Sequence, residues 1–187
     1  MKRRSFIAER KPIFLGCEGE SEQAYGQLLY DFLRESGRST HIEVVNLNPG
    51  AGDPIARLRK AEQEIARRSQ RRSSFHLKAL LMDSDQVAAD IHERRQAELL
   101  AQKLDIRIIW QEPCHEAMLL RHLKGFSANR PPTSARAAAA LKDAWPEYRK
   151  PMTRLQLKRK LGLDAVRRAA AVEPSLSAFL HEIALLP

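Results

Sequence analysis

The chain has 187 residues, of which 43% are hydrophobic and 29% charged, with a formal net charge of +9. That length buries a core without disulfides, and its two cysteines, Cys17 and Cys114, supply neither a disulfide framework nor a zinc pattern. No apolar run approaches a membrane span and the stretch after the basic N-terminus is too short for a signal peptide, so a cytoplasmic protein without membrane contact is expected.

The pI near 9.9 speaks to partners rather than to fold. Nucleic acid is the expected partner, DNA ahead of RNA, and general solubility is the bland alternative.

Residues 1–10 form a basic lead-in. The apolar run from Pro12 to Cys17 reads as a buried strand that breaks into an acidic, glycine-containing turn, Glu18-Gly19-Glu20. A helix follows from about Ser21, its expected N-cap, to Glu35. Tyr25, Leu28, Leu29, Phe32 and Leu33 mark its buried face, and Gly37 stops it.

The β-branched stretch His41 to Leu47 is a second strand, and residues 48–52 form a turn. Asp53-Pro54 is a cap followed by proline at the first helical position. The second helix runs to about Arg72. Ile55, Leu58, Ala61 and Ile65 form one side, and Arg57, Arg59, Lys60, Arg67, Arg68, Arg71 and Arg72 form the basic other.

Phe75 to Met82 is a third strand ending in Asp83-Ser84-Asp85, and a third helix covers about Gln86 to Lys103. A fourth strand, Asp105 to Trp110, leads through Gln111-Glu112-Pro113 into a fourth helix at about Cys114 to Lys124. Strands alternating with helices predict an α/β fold with a mostly parallel four-stranded sheet flanked by helices.

The composition changes after Gly125. Asn129 to Thr133 is a linker, and helices are expected at about Ser134 to Trp145, Thr153 to Leu161, Asp164 to Val172 and Ser175 to Leu186. Between Leu141 and Arg168 nine basic residues face three acidic ones, which makes a second positive region. Residues 1–128 are expected to form the α/β catalytic domain, and residues 129–187 a basic helical extension packed on it.

Glu18, Asp83 and Asp85 carry the chemistry. Two carboxylates separated by one residue, just past a buried strand, can turn toward one point. A parallel sheet can bring a third from a neighbouring strand end beside them. Hard cations such as Mg2+ or Mn2+ take oxygen ligands of this kind, and the cluster could polarise a phosphate and activate water. The competing reading makes the aspartates helix caps and Glu18, Glu20 and Glu22 a solvated turn that favours the helix dipole. Cys17 reads as a buried strand residue, and Trp110 and Trp145 as packing residues. His41, His76, His92 and His181 are scattered and carry no assigned role.

Cys17-Glu18-Gly19-Glu20-Ser21-Glu22 and Met82-Asp83-Ser84-Asp85 resemble the signature of the TOPRIM fold of topoisomerases, bacterial primases, small recombination proteins and OLD-type nucleases. Glu112 to Leu123, EPCHEAMLLRHL, and Tyr148-Arg149-Lys150 bring the chain closer to the RloB-like branch, found near restriction and phage-defence genes. Departures from its third motif fall at Glu112, His115, Ala117, Met118 and Leu123, and Ser84 stands where arginine is frequent.

The resemblance implies a TOPRIM-like Rossmannoid fold and a metal-dependent nuclease working with a separate ATPase subunit. It makes Glu18 a metal ligand or general base, Asp83 and Asp85 metal ligands, and Glu22 a second acid holding an outer water. Glu116 could serve a second metal, and His122 could orient a phosphate or move a proton. Lys150 could stabilise charge on the transferring phosphate. The chain itself has no P-loop. Two other functions compete: a non-catalytic nucleic-acid-binding subunit of a defence complex, and a metal-dependent phosphoryl-transfer enzyme acting on a small substrate.

Overall fold

The computed structural model describes residues 12–48, 53–70, 74–87 and 91–187. The basic lead-in, Pro49 to Gly52 of the second turn, Arg71 and Arg72, and residues 88–90 of the expected third helix lie outside them. Four strands, β1 (Pro12–Cys17), β2 (His41–Asn46), β3 (Leu77–Asp83) and β4 (Arg107–Gln111), form a sheet in the order β2-β1-β3-β4 with every pair parallel. Between and after them run α1 (Glu20–Glu35), α2 (Pro54–Ser69), α3 (Ile91–Leu104) and α4 (His115–His122). Four further helices follow, α5 (Ser134–Ala144), α6 (Arg154–Lys160), α7 (Leu163–Ala170) and α8 (Pro174–Glu182).

The alternation of strand side chains divides the core in two. Ile13, Leu15, Cys17, Ala79, Leu81 and Ile109 pack with α1, α4 and the C-terminal helices. Phe14, Leu80, Met82 and Trp110 pack with α2 and α3 on the opposite face. Helices therefore cover both faces of a parallel sheet, a Rossmann-like arrangement. The strand order reverses between β1 and β3, the place where open α/β sheets gather ligands beyond the strand ends. Glu18 follows β1 and Asp83 ends β3, so the two acids meet at that reversal.

α1 lies close on the sheet because Gly26 allows it. A Cβ there would stand 2.9 Å from Val44 Cγ1 and 3.0 Å from Leu15 Cδ2. Gly37, at φ 70°, takes the left-handed conformation that ends the helix. α2 starts as its sequence predicts, with Asp53 accepting from the Ala56 amide at 2.8 Å and Pro54 in the first turn.

Several boundaries differ from expectation. Gly19 is the N-cap of α1, and Ser21 is buried inside its first turn. Residues 85–87, expected to open the third helix, fold instead into a turn closed by the Val87 amide on the Ser84 carbonyl at 3.0 Å, and the described helix is Ile91–Leu104. α4 stops at His122, where Leu123 returns to extended backbone. No described helix is long and apolar enough to cross a membrane.

Candidate active site

Glu18, Glu22, Asp83 and Lys150 line a cleft of about 330 Å³ at the carboxyl ends of β1 and β3, with Gly19, Asn48 and Pro151 completing its walls. Glu18 Oε2 accepts from the Asp83 backbone amide at 2.9 Å, so the two strand ends are tied through the acid itself. Its Oε1 forms an ion pair with Arg57 of α2.

Arg57 corrects the expected basic face of α2. It is 7% exposed and turns inward beside Leu58 and Ala61. It lies three residues after Pro54 and four before Ala61, so the helical repeat places it on the buried stripe.

Asp83 is the most perturbed of the acids. Its Oδ1 is buried without a hydrogen-bond partner. Burial, then the charges of Glu18, Glu22, Asp85 and Glu116, push its carboxyl up to about 9. Burial likewise raises Glu18, against the Asp83 amide and Arg57, which lower it.

Asp85 lies two residues on and is exposed. Its Oδ2 accepts from Ser134 Oγ at the start of α5, at 2.6 Å. The loop carrying both aspartates is pinned from the β4–α4 turn. The Ser84 and Asp85 amides both donate to the Pro113 carbonyl at 3.0 Å, and the Ser84 amide also to Gln111 O at 3.1 Å. Arg121, fully buried on α4, holds that turn in place by donating to Glu112 O at 2.8 Å and pairing with Glu173.

Glu116 enters from the first turn of α4. Lys150 Nζ reaches its carboxylate at 2.7 Å, and the Tyr148 hydroxyl donates to it at 3.2 Å. Burial raises its carboxyl, but Lys150, its own backbone amide and His115 outweigh that and hold Glu116 below the usual carboxylate range. Lys150 stays half-exposed at the cleft, and Tyr148 is buried.

His122 is placed elsewhere, contrary to the expectation that it looks the same way as Glu116. Six residues at 100° each leave the two side chains about 120° apart around the helix. His122 is fully buried. Its Nδ1 lies 2.8 Å from Met118 O, which can only accept, so Nδ1 carries the proton and Nε2 accepts from the Tyr25 hydroxyl at 2.9 Å. Both nitrogens are thus engaged, and the imidazole does not line the acidic cleft. Burial lowers its pKa to about 4.

His115, which follows β4 by four residues, is buried against Tyr25 and receives Gln111 Nε2 on its Nδ1 at 2.7 Å. Its Nε2 is buried without a partner. Cys17 is buried in β1, and desolvation pushes its thiol up.

Among the described residues, no three His, Cys, Asp or Glu side chains already stand as a metal site. The reason is local. Glu18 is turned to Arg57 and the Asp83 amide, and Asp85 to Ser134. The donors nevertheless suit a hard divalent cation, since all are carboxylate oxygens and Asp83 Oδ1 is an orphan amid like charges. Asp85 does not line the cleft, and to take a cation Glu18 would have to leave Arg57 and the Asp83 amide, and Asp85 to leave Ser134.

The family model described as RloB-like protein matches residues 13–178. The chain belongs to the RloB-like family. No curated protein and no solved structure gives a match. The RloB-like match spans β1 to the C-terminal helices, so it takes in every acid of the cleft together with Tyr148 and Lys150. Sequence reasoning about this RloB-like chain passed over the site roles of Arg57, Tyr148 and the Pro113 carbonyl. Arg57 could have been found from its place on the apolar stripe of α2. A carbonyl contact leaves no trace in residue type.

Proposed function

We propose that this protein is a divalent-metal-dependent nuclease that cleaves nucleic-acid phosphodiester bonds, acting in phage defence with a separate ATPase partner. The observation that carries this reading is Asp83. A buried, unpartnered carboxylate oxygen, surrounded by Glu18, Glu22, Asp85 and Glu116, is a place where a bound cation would replace the proton that burial and those charges otherwise hold there. Glu18, Asp83 and Asp85 would hold Mg2+ or Mn2+, and Glu22 an outer water. When bound, the cation supplies Lewis acidity to a phosphate oxygen and to an attacking water.

The chain's own residues do the rest. Lys150, exposed on the cleft and anchored to Glu116, offers a positive charge to a phosphate entering from solvent. Tyr148 holds Glu116 from behind, so Glu116 keeps Lys150 in place as well as offering an acid for a second metal. His122 has no role at the phosphate in this scheme, because both its nitrogens are taken. Family membership supports the defence setting and the ATPase partner, and the net charge of +9 supports a polyanionic substrate.

The Arg57–Glu18 ion pair favours a second reading. An internal cation already answers part of the acidic charge, which suits a nucleic-acid-binding subunit that does not cleave.

Cleavage of labelled DNA and RNA with Mg2+ or Mn2+ separates the two. The nuclease reading expects metal-dependent products that vanish in an Asp83→Ala, Asp85→Ala double variant. Intact, salt-sensitive binding with no cleavage, even when the cognate ATPase is supplied, would leave the subunit reading in its place.

A further inference from the structure

A second cleft lies away from the carboxylates. It has a volume of about 620 Å³ and opens between the end of α4, the end of α5 and the α6–α7 junction. That volume is within the range of small-molecule sites. Its lining is cationic. Lys124, Lys160 and Arg168 face it against one carboxylate, Asp164, which is itself paired with Arg167 at 2.8 Å.

Two of the three cations are held in position. Arg168 donates to the His122 carbonyl, and Lys160 Nζ lies over the Trp145 ring at 5.8 Å from its centre. The wall also includes Gly162, the N-cap of the eight-residue α7, where no side chain caps the first amides. Phe126 and Leu163, both half-buried, supply an apolar wall in the same cleft.

We propose that this cleft binds a phosphorylated nucleoside, with the phosphate on Lys124, Lys160 and Arg168 and the base against Phe126 and Leu163. Each feature answers one part of such a ligand. Three cations with one already-neutralised acid select a phosphate, and uncapped helix amides add donors for its oxygens. A flat aromatic face beside an aliphatic one takes a base. The cleft is separate from the acidic one and shares no lining residue with it, so the proposal stands independently of the nuclease reading. A free nucleotide and the phosphorylated end of a strand present the same chemistry, and they differ in whether the sugar carries a further nucleotide.

Isothermal titration of the full chain in EDTA, which keeps the acidic cleft free of metal, tests this with AMP, adenosine and a short oligonucleotide with or without a 5′-phosphate. AMP is expected to bind and adenosine not. A Lys124→Glu, Lys160→Glu variant, altered only at exposed positions, should weaken AMP by more than about tenfold, while Asp83→Ala, Asp85→Ala leaves it unchanged. Binding of the phosphorylated oligonucleotide alone, weakened by the same charge reversal, would assign the cleft to a strand end. The proposal is overturned if neither phosphorylated ligand binds at millimolar concentration, or if binding survives the charge reversal. Circular dichroism of the variant shows that it remains folded.

Discussion

Arg57 and Glu18 form a nearly buried ion pair in the middle of a proposed cation site. Such a pair is costly to break from one side, because the remaining charge is left without a partner. Arg57→Ala is therefore expected to lower stability by about 3 kcal/mol in the absence of divalent metal. Adding Mn2+ should restore more stability to the variant than it adds to the wild type, since Glu18 is then released to the metal. Thermal unfolding with and without Mn2+ measures both effects, and equal Mn2+ shifts in the two proteins would contradict the assignment.

His122 makes a different prediction. Its folded pKa, about 4, lies below the unfolded value of roughly 6.5, so the unfolded chain takes up the proton first. Its contribution to stability is complete above roughly pH 6.5 and is lost as pH falls toward 4, by up to about 3 kcal/mol. Burial lowers His115 as well, which adds a loss of the same sign. Urea unfolding between pH 7 and pH 4 should show the slope, and His122→Gln should flatten it.

At the scale of the element, α6 is the most exposed to a single change. It has seven residues and depends on a full capping box. The Gln156 amide donates to Thr153 Oγ1 at 3.3 Å, and the Thr153 amide donates to Gln156 Oε1 at 2.8 Å. Thr153→Ala should cost about 1 kcal/mol and fray the helix that carries Lys160. Hydrogen exchange along 154–160 would rise, and unchanged protection would mean that packing of Leu157 alone holds the helix.

This cap illustrates what the sequence reveals. A threonine three residues before glutamine is a local signal, as are Asp53-Pro54 for α2 and the apolar stripe of α1. The sheet was legible because each strand is a short apolar run bounded by turns, and the meeting of Glu18 with Asp83 followed from strand order. The turn at residues 85–87 was not, because the amides of Ser84 and Asp85 bind a carbonyl from the turn after β4, some 30 residues away. The inward turn of Arg57 was masked by four other basic residues on the same helix, Arg59, Lys60, Arg67 and Arg68, and charge is a poor guide to which side of a helix a residue occupies when its stem can pack.

Across the whole molecule, net charge of +9 sets the terms for any polyanionic partner. Much of the basic surface is internally compensated. Arg154 pairs with Asp31 at 2.9 Å, Lys158 pairs with Glu35, and Arg68 with Glu43. Binding to nucleic acid is expected to weaken by more than about tenfold for a fourfold rise in salt, as phosphate contacts release counterions. A titration of affinity against salt concentration measures this, and a flat profile would remove the phosphate backbone as the recognised feature.

The Arg121 staple has a consequence for engineering. Glu173 near the C-terminus holds Arg121, Arg121 holds the Glu112 carbonyl, and the next carbonyl along, that of Pro113, holds the loop of Asp83 and Asp85. The helical tail is thus the last support of a scaffold whose first member is the acidic cleft. A shortened chain ending after α4 would keep every acid of that cleft and lose the bracing that sets where Asp83 and Asp85 stand. A minimal version of this protein has to keep Glu173.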